Sequence, residues 1–409
     1  MTQAPERPTL LPGTAAFDAL LAEIADGAKD RDLNDENPFD QVSALKRAGF
    51  GRLRLPAEFG GPGLSVRQLF AAVIDVARAD PIVAHIFRTH FWFTEERLRT
   101  LRVNPTDAVT QRWLREVSDG KLFANAFSEK GSLTVGSLVF NTRLLPDGHG
   151  AYRLDGEKFY STGTLFSDYL TVTATTDHDS VASVIIDADR TGVQLIDDWD
   201  GFGQRRTGTG TTKFTNVAVA ADEVLVDTPY DAEPTPTVQY ASLQLYIHAV
   251  VAGVLQSVVD DGAALLRSRT RSFSHALTEH PVDDPLYQKL LGELSATAYV
   301  AKAAVLDAAD AIGAATDSLD AAGIPDADLA SEAQLKVAKV KVHLDAIAPE
   351  AATRLLELGG ASAASRQRNL DRHWRNVRTI TLHNPVAYKA RVIGANLLHG
   401  SPIPANAYF

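Results

Sequence analysis

The chain of 409 residues contains no cysteine. Disulfides and thiolate metal sites are therefore excluded, and a reducing cytoplasm fits that usage. No run of about 18 apolar residues occurs, so no membrane span is expected. Residues 1–12 lack a basic stretch followed by an apolar one, and no signal peptide is read there. No block of Lys and Arg appears, and 51 acidic against 40 basic residues leave a net charge of −11. That balance argues against a nucleic-acid surface. No Gly-x-Gly-x-x-Gly follows a strand pattern, so a nicotinamide site is not expected. Internal repeats and long low-complexity segments are missing too.

What is present falls into three regions, in keeping with the several packed subdomains that this length predicts. Residues 1–122 read as helical, with apolar residues three and four apart at Phe17, Leu20, Leu21 and Ile24, and again at Leu69, Val73 and Val76. A further helix is expected to start near Pro81 and to carry His85 and His90. Residues 123–229 change to short runs of Val, Thr, Ile and Phe between turn residues, with strands expected at 151–154, 169–174, 181–186 and 213–219. Residues 230–409 return to an Ala-rich helical pattern after a linker at 231–236. There Val337, Val340, Leu344 and Ile347 form one stripe, and Gly359-Gly360 reads as a helix stop.

Several strings carry chemistry-bearing residues. Asn125-Ala126-Phe127-Ser128-Glu129 stands where a strand meets a loop. An amide and backbone N–H groups there suit a heterocycle's carbonyls and ring nitrogens, and a turn-closing Asn fits equally. Gly156-Glu157-Lys158-Phe159-Tyr160-Ser161-Thr162-Gly163 holds hydroxyls at a strand edge, or is a plain hairpin. Asp197-Asp198-Trp199 leads into Gly201-Phe202-Gly203-Gln204-Arg205-Arg206-Thr207-Gly208, which lacks the lysine spacing of a phosphate loop. Arg269-Thr270-Arg271-Ser272-Phe273 offers guanidinium donors for phosphate, or a solvated basic face. His85 and His90 are about 140° apart on an ideal helix, so no metal pair is expected. Phe87, Phe91, Trp92 and Phe93 beside them would line an apolar pocket or simply fill the core. The last string is Asp371-Arg372-His373-Trp374-Arg375-Asn376-Val377-Arg378-Thr379, continuing through Leu382-His383-Asn384-Pro385.

These strings, in this order, resemble the acyl-CoA dehydrogenase superfamily over most of the chain, and within it the flavin-dependent monooxygenase branch typified by dibenzothiophene monooxygenase. The resemblance implies a mainly α fold with a central β domain: an N-terminal helical domain, a middle β-barrel-like domain and a C-terminal four-helix bundle. Many members carry a Glu in the C-terminal segment that removes the α-proton of a thioester. Here Asn384 matches that position, and an amide has no basic form at neutral pH. Some members place the base on an earlier helix, but the stretch 240–248 has no carboxylate.

The resemblance thus implies a two-component monooxygenase. It would use reduced FMN and O2 through a C4a-(hydro)peroxyflavin to oxygenate a small apolar substrate, with sulfur favoured over nitrogen or aromatic carbon. Its catalytic residues would be His90, Asn125, Thr162 and His383, with His85 matching a further histidine of the branch. Its cofactor residues would be Asn125, Ala126, Tyr160, Thr162, Trp199 and His383, with Arg271 and Phe273 reaching the flavin of a neighbouring subunit. FMN is favoured over FAD because Leu356 stands where a Gln usually contacts adenosine. A separate NAD(P)H-dependent flavin reductase and a homotetramer are the implied partners. Two other readings stay open: an acyl-CoA dehydrogenase with an unplaced base, and a non-catalytic flavin-binding scaffold.

Overall fold

The computed structural model describes residues 9–130, 139–178, 180–230, 237–404 and 409. The linker expected at 231–236, residues 1–8 of the stretch read for a signal peptide, and 405–408 of the C-terminal tail lie outside the described residues. The first third holds α1 (Ala15–Ala25), α2 (Ala28–Asn34), α3 (Phe39–Arg47), α4 (Val66–Ala79), α5 (Pro81–Ile86), α6 (Arg88–Val103) and α7 (Ala108–Ser118). Ser65 and Gln68 close a capping box at the start of α4. The Asp80 carboxylate accepts from the N–H groups of Ile82 and Val83, and Pro81 opens α5. The helix expected near Pro81 therefore forms, but it breaks at Phe87 before α6 begins. The break places His85 and His90 on different helices.

The middle third is one curled sheet of β1 (Phe123–Ala126), β2 (Arg143–Pro146), β3 (Tyr152–Lys158), β4 (Tyr169–Thr175), β5 (Ser180–Asp187), β6 (Val193–Ile196), β7 (Thr211–Val219) and β8 (Val224–Pro229). Its order is β6-β7-β3-β2-β4-β5-β8, and β1 pairs with β4 in parallel. The four expected strands are β3, β4, β5 and β7. The short, largely exposed β2 and β6 lack the alternation that would have marked them.

The last third packs three long helices, α8 (Gln239–Ser268), α9 (Pro285–Asp317) and α10 (Ala327–Arg354). The short α11 (Asp371–Thr381) takes the fourth place, and α12 (Val386–His399) lies against α10. Helix α8 is long and apolar enough to cross a membrane, yet it is wrapped by α4, α9 and α10. Where α8 crosses α4, a Cβ on Gly253 would lie 2.5 Å from the Ala77 Cβ and 2.5 Å from the Ile74 carbonyl oxygen. Only glycine permits that approach. At the C-terminus Phe409 is buried, with the Lys389 ammonium 4.6 Å from its ring centroid.

Buried polar groups hold the middle third and the last together internally, and His90 joins the first to the middle. Lys158 on β3 is fully buried and donates to Glu129 at 2.8 Å. The same carboxylate accepts from the N–H groups of Asn141 and Thr142 and from the Thr142 hydroxyl. Burial pulls the Lys158 ammonium down to about 8 against the pull of Glu129. His90 Nε2 lies 2.9 Å from the Gly51 carbonyl oxygen, and Nδ1 accepts from the Phe123 N–H at 3.3 Å. His373 Nε2 lies 2.8 Å from Asp261.

Glu129→Gln should lower the free energy of unfolding by about 3–5 kcal/mol, because it strands a buried ammonium. Urea unfolding at neutral pH measures this; a loss below about 1 kcal/mol would mean that water reaches Lys158. Burial also drives the imidazoles of His85, His90 and His373 down to about 4. The unfolded chain binds their protons from about pH 6.5 downward while the fold refuses them until about 4. Stability should therefore fall as pH drops through that window, by up to about 1.4 kcal/mol per unit per histidine. A midpoint in urea that stays constant from pH 6.5 to 4.5 would contradict it.

Candidate active site

The site is built where the sheet, the α5–α6 break and the end of α11 meet. Phe123 anchors β1 against the helices, stacking on Phe93 at 4.1 Å and Tyr169 at 5.1 Å. Strand alternation then puts Asn125 on the same face as Phe123, while Ala124 and Ala126 turn into the sheet core. The Asn125 Oδ1 is buried there without a hydrogen-bond partner. The hairpin after β3 arrives beside it. Gly163 has φ +86, and a Cβ on it would lie 2.8 Å from the Ile86 carbonyl oxygen and 3.8 Å from the Ala124 Cβ. That close approach brings the hairpin, α5 and β1 to one point.

On this hairpin the Ser161 hydroxyl is buried and unpartnered. The Thr162 hydroxyl lies 2.8 Å from that of Thr209, and Thr209 lies 2.6 Å from that of Thr207. Tyr160, held at a left-handed φ of 57, stays exposed with its ring 5.8 Å from that of Trp199. Backbone strain of this kind gathers at functional sites.

The α11 string works as a clamp. Arg375 donates to Asp32 on α2 at 2.7 Å, and Trp374 stacks on Phe202 at 5.7 Å. A Cβ on Gly203 would lie 2.0 Å from the Arg375 carbonyl oxygen, so the loop lies flat on the helix. The Asn376 Oδ1 accepts from the Gln204 N–H at 2.7 Å. Gln204, at a left-handed φ of 51, then meets His85 Nδ1 with its Oε1 at 2.7 Å. His85 Nε2 and Gln204 Nε2 are left buried and unpartnered.

Beyond α11 the chain turns at His383. This imidazole is accessible to solvent yet surrounded by protein, as expected for a side chain on the wall of a hollow. Burial and the positive charges of Arg88 and Lys341 hold it well below the ordinary imidazole range. Water in the hollow weakens both causes without reversing either, and His383 is neutral at pH 7. Its Nε2 lies 3.3 Å from Arg88 Nη1. A guanidinium only donates, so Nε2 accepts and Nδ1 carries the proton. Next to it, the Asn384 Nδ2 donates to the Gln244 Oε1 at 3.0 Å. The position that would hold a dehydrogenase's carboxylate and a residue of the alternative stretch on α8 are thus two amides bonded to each other.

Of the residues expected at the site, Asn125 stands on β1, Tyr160 and Thr162 on the hairpin after β3 with Trp199 beside Tyr160, and His383 beside Arg88, while Ala126 is buried in the sheet core. The structure adds Gln204, which the sequence did not single out, bonded to His85, the further histidine that the resemblance matched. His90 spends both nitrogens on backbone groups, so its geometry is that of a joint. Phe87, Phe91 and Phe93 are core residues, and only Trp92 of that group stays half-buried. Arg271 and Phe273 are exposed after α8, while Arg269 is occupied by the Leu358 carbonyl and the Tyr287 ring. A separate cleft of about 490 Å³ opens between α4, α8 and Arg372. Two of its arginines are paired, Arg78 with Asp260 and Arg372 with Asp261.

Comparison with known proteins places this geometry in a family. Residues 14–121 match the acyl-CoA dehydrogenase N-terminal domain, and residues 245–388 match the acyl-CoA dehydrogenase C-terminal domain. A dibenzothiophene monooxygenase from Mycolicibacterium goodii is 29% identical over 92% of this chain and 91% of its own length. The structure of FMN-bound TdsC from Paenibacillus sp. A11-2 superposes with a TM-score of 0.85 at 28% identity, covering 97% of this chain and all of that one. Methanesulfinate monooxygenase MsuC from Pseudomonas fluorescens gives 0.84 at 26% identity, over 98% of this chain and all of that one. With both terminal domains matched over more than half of its length, the chain belongs to the acyl-CoA dehydrogenase family.

Proposed function

We propose that the protein is a reduced-FMN-dependent monooxygenase that transfers one oxygen atom of O2 to a small organosulfur compound. The observation that carries this reading is the Asn384–Gln244 pair. Proton abstraction from a thioester needs a base, and the family's base position holds an amide already bonded to another amide. Around it stand neutral hydrogen-bond donors. The FMN-bound relative and the monooxygenase relatives support the cofactor and the reaction class.

The residues present fit a flavin ring. Buried unpartnered atoms on Asn125, Ser161, Gln204 and His85 need the polar partners that a ring with several carbonyls and nitrogens provides. Asn125, Ala126, Tyr160 and Thr162 would hold the ring, Trp199 would cover it, and Arg271 and Phe273 would reach the phosphate of a neighbouring subunit in a homotetramer. Reduced FMN, when bound, supplies two electrons to O2, so that one oxygen atom goes to the substrate and the other leaves as water. A separate NAD(P)H-dependent reductase would supply it.

This chain's part is orientation and hydrogen bonding. At pH 7 His85 and His383 are neutral, so they donate hydrogen bonds from a fixed N–H rather than release a dissociable proton. For His383 the donor is Nδ1, directed into the hollow. For His85 the Gln204 amide decides which nitrogen carries the proton, since turning the amide over would move it from Nδ1 to Nε2. Thr162, Thr209 and Thr207 form a hydroxyl chain that relays polarity without charge. His90 positions β1 and hence Asn125. The relatives' names span a neutral aromatic thioether and an anionic sulfinate, so they leave the substrate's charge open.

His85→Ala and His383→Ala should each cut product formed per reduced FMN by about 100-fold or more, the usual share of a positioned proton-bearing group. His90→Ala should instead cost about 1–3 kcal/mol in unfolding free energy through two unmade backbone hydrogen bonds. Oxygenated product assayed after mixing each variant with photoreduced FMN and oxygen, and thermal unfolding of the same three variants, read this out. A His90 variant that melts like the parent but no longer oxygenates would reverse the assignment.

A further inference from the structure

Arg88 is a buried cation without a counter-ion. Its side chain is nine-tenths buried at the start of α6. Nε donates to the Leu243 carbonyl oxygen at 3.1 Å, and Nη1 donates to His383 Nε2 at 3.3 Å. Its Nη2 makes no hydrogen bond among the described residues. Among the described residues no carboxylate lies within salt-bridge distance of it; Asp345 is taken by Lys341 at 2.6 Å and faces His248 at 3.4 Å. The other neighbours are His85, His383 and Tyr246, and the Tyr246 hydroxyl donates away to the Ala84 carbonyl oxygen. Burying a guanidinium alone costs several kcal/mol, and buried charges are ordinarily paired. Three other arginines with little exposure are paired, Arg31 with Asp80, Arg54 with Glu95 and Arg375 with Asp32, whereas Arg97, as buried as Arg88, makes no salt bridge among the described residues.

We infer that Arg88 binds an anionic oxygen pair of the substrate, and that the substrate is a small organosulfur anion of the sulfinate class. A planar guanidinium matches two oxygens on one centre, as a sulfinate presents them. Its bond to His383 fixes the anion beside the neutral N–H of that imidazole. A flat neutral thioether would leave the cation unpaired and desolvated, the arrangement that discriminates most strongly against a ligand. The apolar pocket expected from Phe87, Phe91 and Phe93 is absent from this wall, since those rings lie in the core. In the reaction the sulfur lone pair takes one oxygen atom, so sulfinate becomes sulfonate. The second oxygen leaves as water with the two hydrogens of reduced FMN. Sulfur and flavin each give two electrons, and O2 takes four.

This inference rests on the monooxygenase reading, and its test separates the two. Methanesulfinate and its neutral isostere dimethyl sulfoxide are titrated calorimetrically into the FMN-loaded protein and into FMN-loaded Arg88→Met, with no turnover. The wild type should prefer the anion, and the variant should lose about tenfold to hundredfold in methanesulfinate affinity, with little change for the sulfoxide. Equal binding of methanesulfinate by both proteins would overturn the inference, as would a wild type that binds only the sulfoxide. A variant with intact sulfinate binding but a shifted midpoint potential of bound FMN would overturn it too, giving Arg88 to the flavin. Should Arg88→Met not fold, Arg88→Lys keeps the charge without the planar fork and should lose part of the same preference. Failure of the monooxygenase reading would appear separately, as no oxygenated product from reduced FMN, O2 and either compound.

Discussion

The close crossing of α8 over α4 at Gly253 is the contact from which the site hangs. Helix α4 runs through the Asp80 cap into α5, so its position sets where His85 stands. Helix α8 supplies Gln244 and the Leu243 carbonyl, and its Tyr246 hydroxyl holds the Ala84 carbonyl at 2.9 Å. A side chain at Gly253 would push these helices apart and separate the imidazole and guanidinium wall from the amide wall. The Gly253 contact is apolar and unremarkable in itself. Its importance comes from the close packing of protein interiors, in which a displacement at one crossing is carried along rigid helices to their ends.

A second layer lies beneath the hollow. Lys341 donates to Asp345 at 2.6 Å and to the Thr381 carbonyl oxygen at 3.3 Å, and the latter bond holds the turn that carries His383. His248 lies between the Gln244 carbonyl oxygen, at 2.9 Å, and Asp345. Buried polar networks of this kind stabilise a unique arrangement only when their members are satisfied. Here the satisfied layer supports an unsatisfied one, with unpartnered atoms on His85, Gln204, Ser161 and Asn125 facing the place where a ligand would complete them. The concentration of positive groups around His383 has a further consequence. Together with burial, which is the larger cause, it keeps the imidazoles neutral, so the site has little tendency to titrate near pH 7.

The order of helices, sheet and helices was legible because periodicity changes from 3.6 to 2 and back. The amide at Asn384 was legible as well, because a missing base needs no geometry to recognise. Short exposed strands such as β2 and β6 were not, since their residues do not alternate between core and solvent. The choice between His85 and His90 was not legible either. Their angular separation told that one helix face could not present both, but the break at Phe87 and the Gly51 carbonyl that captures His90 lie outside any local pattern. The string from Asp371 to Thr379 stood out for its composition, and its use as a clamp on Gln204 required contacts across 172 positions of sequence.

By itself the sequence determined which chemistries were unavailable. Without cysteine there is no thiolate, and with Asn384 there is no carboxylate in the family's base position. These conclusions depend only on what each side chain is able to do. Tertiary structure alone decided which polar groups find partners. Arg88 is one arginine among many in the chain, and no neighbour in sequence marks it. Its lack of a counter-ion appears only when Leu243, His383 and Asp345, all more than a hundred positions away, are set around it, because pairing is a matter of distance in space.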